Sequence, residues 1–453
     1  MSTAPGTTNM IPLPFGHFGE FVREPLGFLL RARERYGDVF RMRIGPLLLH
    51  FLFHPDYVQH VLHDRPKNYL RGWQYHWLRR MMGENLVVSE GDYWLRQRRL
   101  AQPAFGRQRL ALYAEVMVQA TAEMLERWAK LSAGDTVDIG AEMSRLALHI
   151  AGLAFFSRDV SQKSDSVGRA FPVVGNYLVR RFNHPFTSPP AWVPTARNRE
   201  FKRAVRNLNE IVFELVQRRR NEGRDYGDLL SMLMSATDEE TGATMTDRQL
   251  SSEVLAFLLA GHETSATALT WTWYLLASHP TVQRRVRAEI QTVLGGRMPT
   301  CADVPQLNLT RMVIEEAMRL YPPIWATPRQ VVTADEIGGF RIPARSMVVL
   351  CQFVTQRHPA IWESPETFDP DRFAPEKVKE RSKYAHFPFL AGPHQCIGSE
   401  FAMLEMRLVV AMVLERFEIE LLPNQQIEPK ASIAIQPSAP VRLALKGMQR
   451  GLG

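Results

Sequence analysis

Cys396 stands in FPFLAGPHQCIG (387–398), with Gly392 four residues before it and Gly398 two after. A helix-like run, SEFAMLEMRLVVAMVLERF, follows directly. The chain has three cysteines, Cys301, Cys351 and Cys396. That rules out a disulfide framework and a four-thiolate iron–sulfur cluster held by this chain alone. Glycine lets backbone approach a flat group closely and take positive φ. A helix beginning near Gly398 turns its positive dipole end and free N–H groups toward the sulfur, which stabilises a thiolate. Phe389, seven residues upstream, is placed to cover that sulfur. Two readings stand: a thiolate ligand held against a planar cofactor, or a buried cysteine in a turn.

Three more sets of residues bear on chemistry. In MTDRQLSSEVLAFLLAGHETSATALTWTWYLLASHP (245–280), Ala260-Gly261 precede Glu263-Thr264. Interior glycine costs a helix about 1 kcal/mol relative to alanine, while small residues let a ligand lie against it. The acid and alcohol beside that gap suit proton delivery; the alternative is a core helix whose Thr bonds back to its own carbonyl. His262-Glu263 also begins the zinc-protease pattern H-E-x-x-H, but position 266 is alanine and the second ligand is missing. In RMVIEEAMRLYPP, Glu316 and Arg319 are three apart and share a helix face, so they can pair. In GDYWLRQRRL, Trp94 and Arg98 are four apart, again on one face.

The elements needed to position these residues are mostly helical. The apolar period predicts helices over 109–130, 199–222, 247–279, 281–294 and 309–320. The long central one has a capping box, Thr246 to Gln249, and stops at Pro280. Strand patterns are confined to 38–53 and 329–350, where Gly338-Gly339 marks a hairpin turn. The fold class is mainly α with a small antiparallel sheet region, formed by roughly 37–55 plus 329–350. No linker or repeat interrupts the chain, so 1–453 reads as one domain. The proline-rich stretch 184–196 reads as a loop between helices, a common position for a lid.

Composition fits a soluble globular protein: 45% hydrophobic and 23% charged residues. No apolar run approaches the ~20 residues needed to span a bilayer, and MSTAPGTTNMIPLPFG lacks signal-peptide regions. The expectation is a cytoplasmic protein without a transmembrane anchor. The net charge of +8 sits in short arginine groups on helix-like segments, with no basic tail or nucleic-acid motif. A docking face for an acidic partner is expected, and no nucleic acid.

Taken in order, these motifs resemble the cytochrome P-450 family of haem-thiolate monooxygenases, in its soluble bacterial form. F389-x-x-G392-x-x-x-C396-x-G398 matches the family's haem-binding loop. One departure is His394, where the family usually has an arginine for a haem propionate. The resemblance runs from GDVFRMRIGP (37–46) to the last strands. It implies haem b (iron protoporphyrin IX) with Cys396 as the axial thiolate. It implies Trp94, Arg98, Arg329 and His394 as propionate groups, Ala260, Phe389, Gly392 and Gly398 as cofactor neighbours, and Glu263 and Thr264 as the oxygen-activating pair. Glu316, Arg319 and Arg372, the last from FDPDRF (368–373), would form a structural lock.

The implied activity uses O2 and electrons from an external ferredoxin or flavodoxin-type donor to hydroxylate an apolar small molecule: a terpenoid, fatty acid or polyketide-like compound. By position, the resemblance places substrate contacts at Trp73, Tyr75, Leu86, Val87, Phe257, Trp325, Ala326 and Ile435, and within 171–190. Electron-donor docking is expected at Arg96, Arg99, Arg107 and Arg109, and the protein is expected to be a monomer. The alternatives are a peroxide-dependent haem oxygenase and a non-enzymatic haem-thiolate sensor. The former has no need of Glu263-Thr264, and the latter usually carries an output module that this chain lacks.

Overall fold

In the computed structural model, Asp247–Ser278 forms one unbroken 32-residue helix. The structure describes residues 2–6, 17–44, 46–73, 75–132, 134–157, 170, 173–177, 180–181, 188–238, 240 and 242–447. Nine helices of ten residues or more occur among them: α1 (Pro25–Tyr36), α2 (Gly91–Ala101), α3 (Arg107–Trp128), α4 (Ile139–Phe156), α5 (Ala196–Glu222), α6 (Asp247–Ser278), α7 (Pro280–Leu294), α8 (Asn308–Leu320) and α9 (Ser399–Arg416). Their ends follow local chemistry. Thr246 and Gln249 make the reciprocal capping box at the start of α6. His279, held extended by the following proline, ends that helix. α5 begins at Thr195, whose hydroxyl accepts from Asn198 N–H, and ends at left-handed Gly223.

The chain forms two compact units. The first comprises Met1–Trp77, Glu315–Cys396 and Pro429–Gln436. It holds the main sheet, built from β1 (Val39–Ile44), β2 (Leu47–Leu52), β3 (Tyr69–Leu70), β4 (Thr327–Val331) and β5 (Met347–Leu350) in the order β1-β2-β5-β4-β3. The antiparallel expectation needs one correction, because β2 and β5 pair in parallel. The strands lie almost 300 residues apart, so no hairpin dictates their direction. The turn at Gly338-Gly339 joins two short antiparallel strands; both glycines have positive φ, at 60° and 79°. One face of the sheet packs Val39, Leu52, Val331, Val348 and Leu350 on Val58, Leu62, Tyr384 and Phe387, with Leu390 and Ala391 against the same core. The segment leading to Cys396 is therefore seated on the sheet.

The second unit comprises Leu78–Ile314, Ile397–Glu428 and Pro437–Gly453. Here α6 packs on α4, and α9 packs on α3. An aromatic cluster ties them: the Phe155 ring of α4 lies 4.9 Å from Phe401 of α9 and 6.4 Å from Phe257 of α6. α4 is long and apolar enough to cross a membrane, contrary to the sequence expectation that no run is. It is 61% buried against its neighbours, as a core helix would be.

Candidate active site

The residues singled out by sequence fall in both units. In the first, the cysteine loop is a run of tight turns. Leu390 N–H donates to Phe387 O, Gln395 N–H to Gly392 O, and Cys396 N–H to Phe389 O at 2.9 Å. Gly392 has φ 69°, and a Cβ there would lie 1.8 Å from the carbonyl oxygen of Leu62. Its glycine is thus fixed by chain against chain, and not by the approach of a flat ligand as the sequence suggested. Cys396 is exposed, whereas Cys301 is half-buried and Cys351 is buried. Burial pushes the Cys351 thiol well up, which makes it inert.

Behind the loop lies a buried charge cluster. Arg319 forks onto Glu316, Nε to Oε2 at 2.6 Å and the second nitrogen to Oε1 at 2.8 Å, with both side chains fully buried. Burial pushes the Glu316 carboxyl up, and the Arg319 fork, Asp369 N–H and Arg372 pull against it. Arg319 also donates to the carbonyls of Gln356, Pro365 and Thr367. Arg372 reaches Glu316 at 3.5 Å. The three residues are together as the E-x-x-R and FDPDRF motifs imply. The carbonyls they bind belong to the segments before the cysteine loop.

Arg329, on β4, is 2% exposed. It donates to the carbonyl of its neighbour Pro328, and no carboxylate pairs with it among the described residues. Arg71 lies outside every motif, yet its guanidinium is 3.1 Å from Nδ1 of His394. A guanidinium only donates, so Nδ1 accepts and the ring proton belongs on Nε2. Of the apolar candidates in this unit, Trp73, Tyr75, Trp325 and Ala326 are half-buried. Trp325 is fixed by its indole N–H to Ser432 O, and Ile435 is fully buried.

In the second unit, Glu263 and Thr264 are half-buried midway along α6, and Ala260 is exposed one turn earlier. Thr264 Oγ1 donates to Ala260 O at 2.7 Å, as Thr270 and Thr272 do to their own preceding turns. The back-bond alone therefore does not set Thr264 apart; its exposure does. Gly261 faces protein, since a Cβ there would meet the Phe155 ring at 3.2 Å. His262 is buried against the Ser144 hydroxyl at 2.9 Å, and burial pushes it down to about 4. Among the described residues no group of three or more His, Cys, Asp or Glu side chains could hold a metal with it. Phe257 sits in the aromatic core, while Leu86 is buried and Val87 is 37% exposed. α9 starts at Gly398 as its N-cap, with φ −92°, so this glycine needs no left-handed freedom. Trp94 and Arg98 are half-buried on α2. Of the expected docking arginines, Arg99 is engaged by Asp238 and Glu240, and Arg109 by Gly227 O; Arg107 is exposed. Of the expected lining stretch 171–190, residues 171–172, 178–179 and 182–187 lie outside the described residues.

The sequence model of the Cytochrome P450 family matches residues 5–444. The chain belongs to the cytochrome P450 family. Among curated relatives, cyclooctatin synthase of Streptomyces melanosporofaciens is 36% identical, over 98% of this chain and 95% of that protein. Pentalenene oxygenase of Streptomyces avermitilis is 31% identical, over 99% and 98%. Among solved structures, the haem domain of cytochrome P450DA superposes with a TM-score of 0.89 at 26% identity, covering 99% of this chain and 98% of that one. A cyanobacterial cytochrome P450 with retinoic acid bound shares the fold, with a TM-score of 0.87 at 24% identity and 98% and 99% coverage.

This P450 is a haem-thiolate monooxygenase, requiring O2, a redox partner and an apolar substrate. The residues present fit haem. A buried guanidinium without a counter-anion costs several kcal/mol, so Arg329 suits a propionate carboxylate. The exposed Cys396 has its backbone N–H held by the Phe389 carbonyl.

Proposed function

We propose that this P450 hydroxylates a terpenoid, acting as a single catalytic domain over 1–453, as a cytoplasmic monomer supplied with electrons by a ferredoxin or flavodoxin. The observation that carries the substrate class is the pair of Streptomyces relatives above 30% identity over nearly the whole chain, one of them named for a terpene hydrocarbon. The candidate wall residues agree in chemistry, being aromatic or aliphatic, with no charge to recognise a carboxylate or sugar.

In this proposal Cys396 ligates the iron, and Arg329, Arg98, Trp94 and the Arg71–His394 pair hold the propionates. Bound there, haem supplies the activation of O2 and the transfer of one oxygen atom into a C–H bond. The chain's own work is positioning and proton supply. Thr264 gives its hydroxyl hydrogen to Ala260 O, which leaves the Oγ1 lone pairs to accept from a water. Glu263, the preceding residue, replenishes protons to that water. Glu316, Arg319 and Arg372 keep the backbone before the cysteine loop from shifting. Substrate contacts are assigned, each within its own unit, to Trp73, Tyr75, Trp325, Ala326 and Ile435 in the first and to Leu86, Val87 and Phe257 in the second.

A ligand-induced spin-state screen tests the substrate class. Sesquiterpene and diterpene alcohols should give a low- to high-spin shift at micromolar concentration, with lauric acid and a macrolide as comparisons. A shift with lauric acid and none with any terpenoid would reassign the substrate to fatty acids.

A further inference from the structure

Glu253 lies on α6, 1% exposed, well away from the Glu263-Thr264 turn. Both carboxyl oxygens accept the same donor, the backbone N–H of Leu86, at 3.0 and 3.1 Å. Leu86 belongs to a tight turn organised by the fully buried Asn85. The Asn85 side-chain oxygen accepts from Val87 N–H, and its carbonyl accepts the Val88 and Ser89 N–H groups and the Ser89 hydroxyl. The turn touches α6 a second time at the preceding residue. Gly83 has φ 74°, and a Cβ there would stand 2.1 Å from Ser252 Oγ. Arg79 holds the far end through Val88 O. The turn is thus rigid in itself and joined to α6 at Ser252 and Glu253, one turn before Phe257. Val87 is its exposed apolar residue, with Leu86 buried beside it.

A salt bridge would be the usual reason to bury a carboxyl, but no cation pairs with Glu253 among the described residues. Burial accordingly pushes it up to about 8, so near neutral pH an uncharged acceptor is in place. Such a group in a core is costly to retain unless its one hydrogen bond matters.

We propose that Glu253 is a positioning residue for substrate recognition: it clamps the 83–89 turn to α6 and so fixes where Leu86 and Val87 meet an apolar ligand. The proposal rests on the reading that Leu86 and Val87 contact substrate. It makes α6 a two-part element, with the acid–alcohol pair at its middle and a specificity clamp nearer its N-terminus. The clamp requires an acceptor and not a charge.

The test uses the haem-loaded protein and two probes, imidazole, which needs only the iron, and 4-phenylimidazole, whose ring extends to the walls. In Glu253→Leu, 4-phenylimidazole should bind about tenfold more weakly, the worth of one hydrogen bond to a buried donor, while imidazole affinity stays at the parent value. Amide exchange at Leu86 should accelerate in the same variant. Glu253→Gln should restore both readouts to within about twofold of the parent. Gly83→Ala, which pushes the turn off Ser252 from the other side, should give the same probe-selective loss, and decides the question if Glu253→Leu does not fold. Parent-like 4-phenylimidazole affinity in Glu253→Leu or Gly83→Ala, or a Gln variant as damaged as Leu, overturns the clamp. Val87→Phe separates the underlying reading: unchanged 4-phenylimidazole affinity there removes residue 87 from the wall, whatever the clamp does.

Discussion

Arg71 donates to Nδ1 of His394 at 3.1 Å, joining residues 323 positions apart in the chain. His394 stands where the family usually places an arginine, and the pairing gives that place back its positive charge from a different element. His394 is held as an Nε2–H donor, and Arg71 supplies the cation. Arg71→Ala should therefore speed haem loss to an apo-globin acceptor by about tenfold, the scale of a charge-assisted hydrogen bond. His394→Ala should have a smaller effect. The opposite ranking would mean that the imidazole is the anchor and Arg71 only its support.

The three cysteines differ in exposure, which fixes a second expectation. Cys396→Ser should abolish the red-shifted absorption of the reduced carbon monoxide complex. Cys301→Ser and Cys351→Ser should keep it, with Cys351→Ser less stable because its hydroxyl enters a fully buried site. Retention of the signal in Cys396→Ser would remove this cysteine as the ligand.

Thr264→Ala should leave haem content and ligand affinity unchanged and uncouple turnover. Product formed per NAD(P)H consumed should fall by roughly an order of magnitude, with the balance appearing as peroxide. Thr270→Ala carries the same back-bond in the core, so it is the control that should leave coupling intact. Equal coupling in Thr264→Ala and the parent would show that proton delivery runs elsewhere.

Electron transfer should be sensitive to Arg107, which is exposed, and much less to Arg99, which already holds Asp238 and Glu240. Arg107→Glu should slow the first electron from an acidic ferredoxin through the encounter rate and flatten its salt dependence, since such steering is screened over about 8 Å. Arg99→Glu should instead lower Tm, because it confronts the buried Asp238 with a second carboxylate. A parent-like rate for Arg107→Glu across a salt series would move the docking face off this region.

Two buried acids set a pH dependence of stability. Burial pushes Glu253 and Glu405 each up to about 8, with Ser265 drawing Glu405 the other way. Both are protonated in the folded protein at a pH where the unfolded chain has ionised them. Their contribution is complete below the ordinary value of 4.5 and is lost as pH rises toward 8. Glu405→Gln should flatten the decline by one group's share, measured by denaturant midpoints between pH 5 and 8. An unchanged slope would mean that Glu405 is ionised in the native state.

Local chemistry in the sequence was enough for the longest helix and its ends, though not for the apolar core helix α4, which it did not predict. Thr246, Gln249 and Pro280 bound the long helix α6 through interactions within a few residues, and Gly338-Gly339 makes its turn by its own φ angles. The same holds for motifs whose members lie one helical turn apart: Glu316 and Arg319 face each other because the helix repeat puts them there. Tertiary structure decided everything that depends on which distant surfaces meet. The parallel pairing of β2 with β5 joins strands with no connection short enough to dictate it. Gly392 is glycine because the Leu62 carbonyl passes it, and Gly261 because the Phe155 ring does. Arg71 and Glu253 belong to no short motif, since their partners, His394 and the Leu86 N–H, lie 323 and 167 residues away in sequence, and a backbone N–H has no letter in the sequence at all. Burial likewise has no local signature: His262 and Thr264 are two residues apart on one helix, and only packing against Ser144 makes the first a core residue and leaves the second half-open.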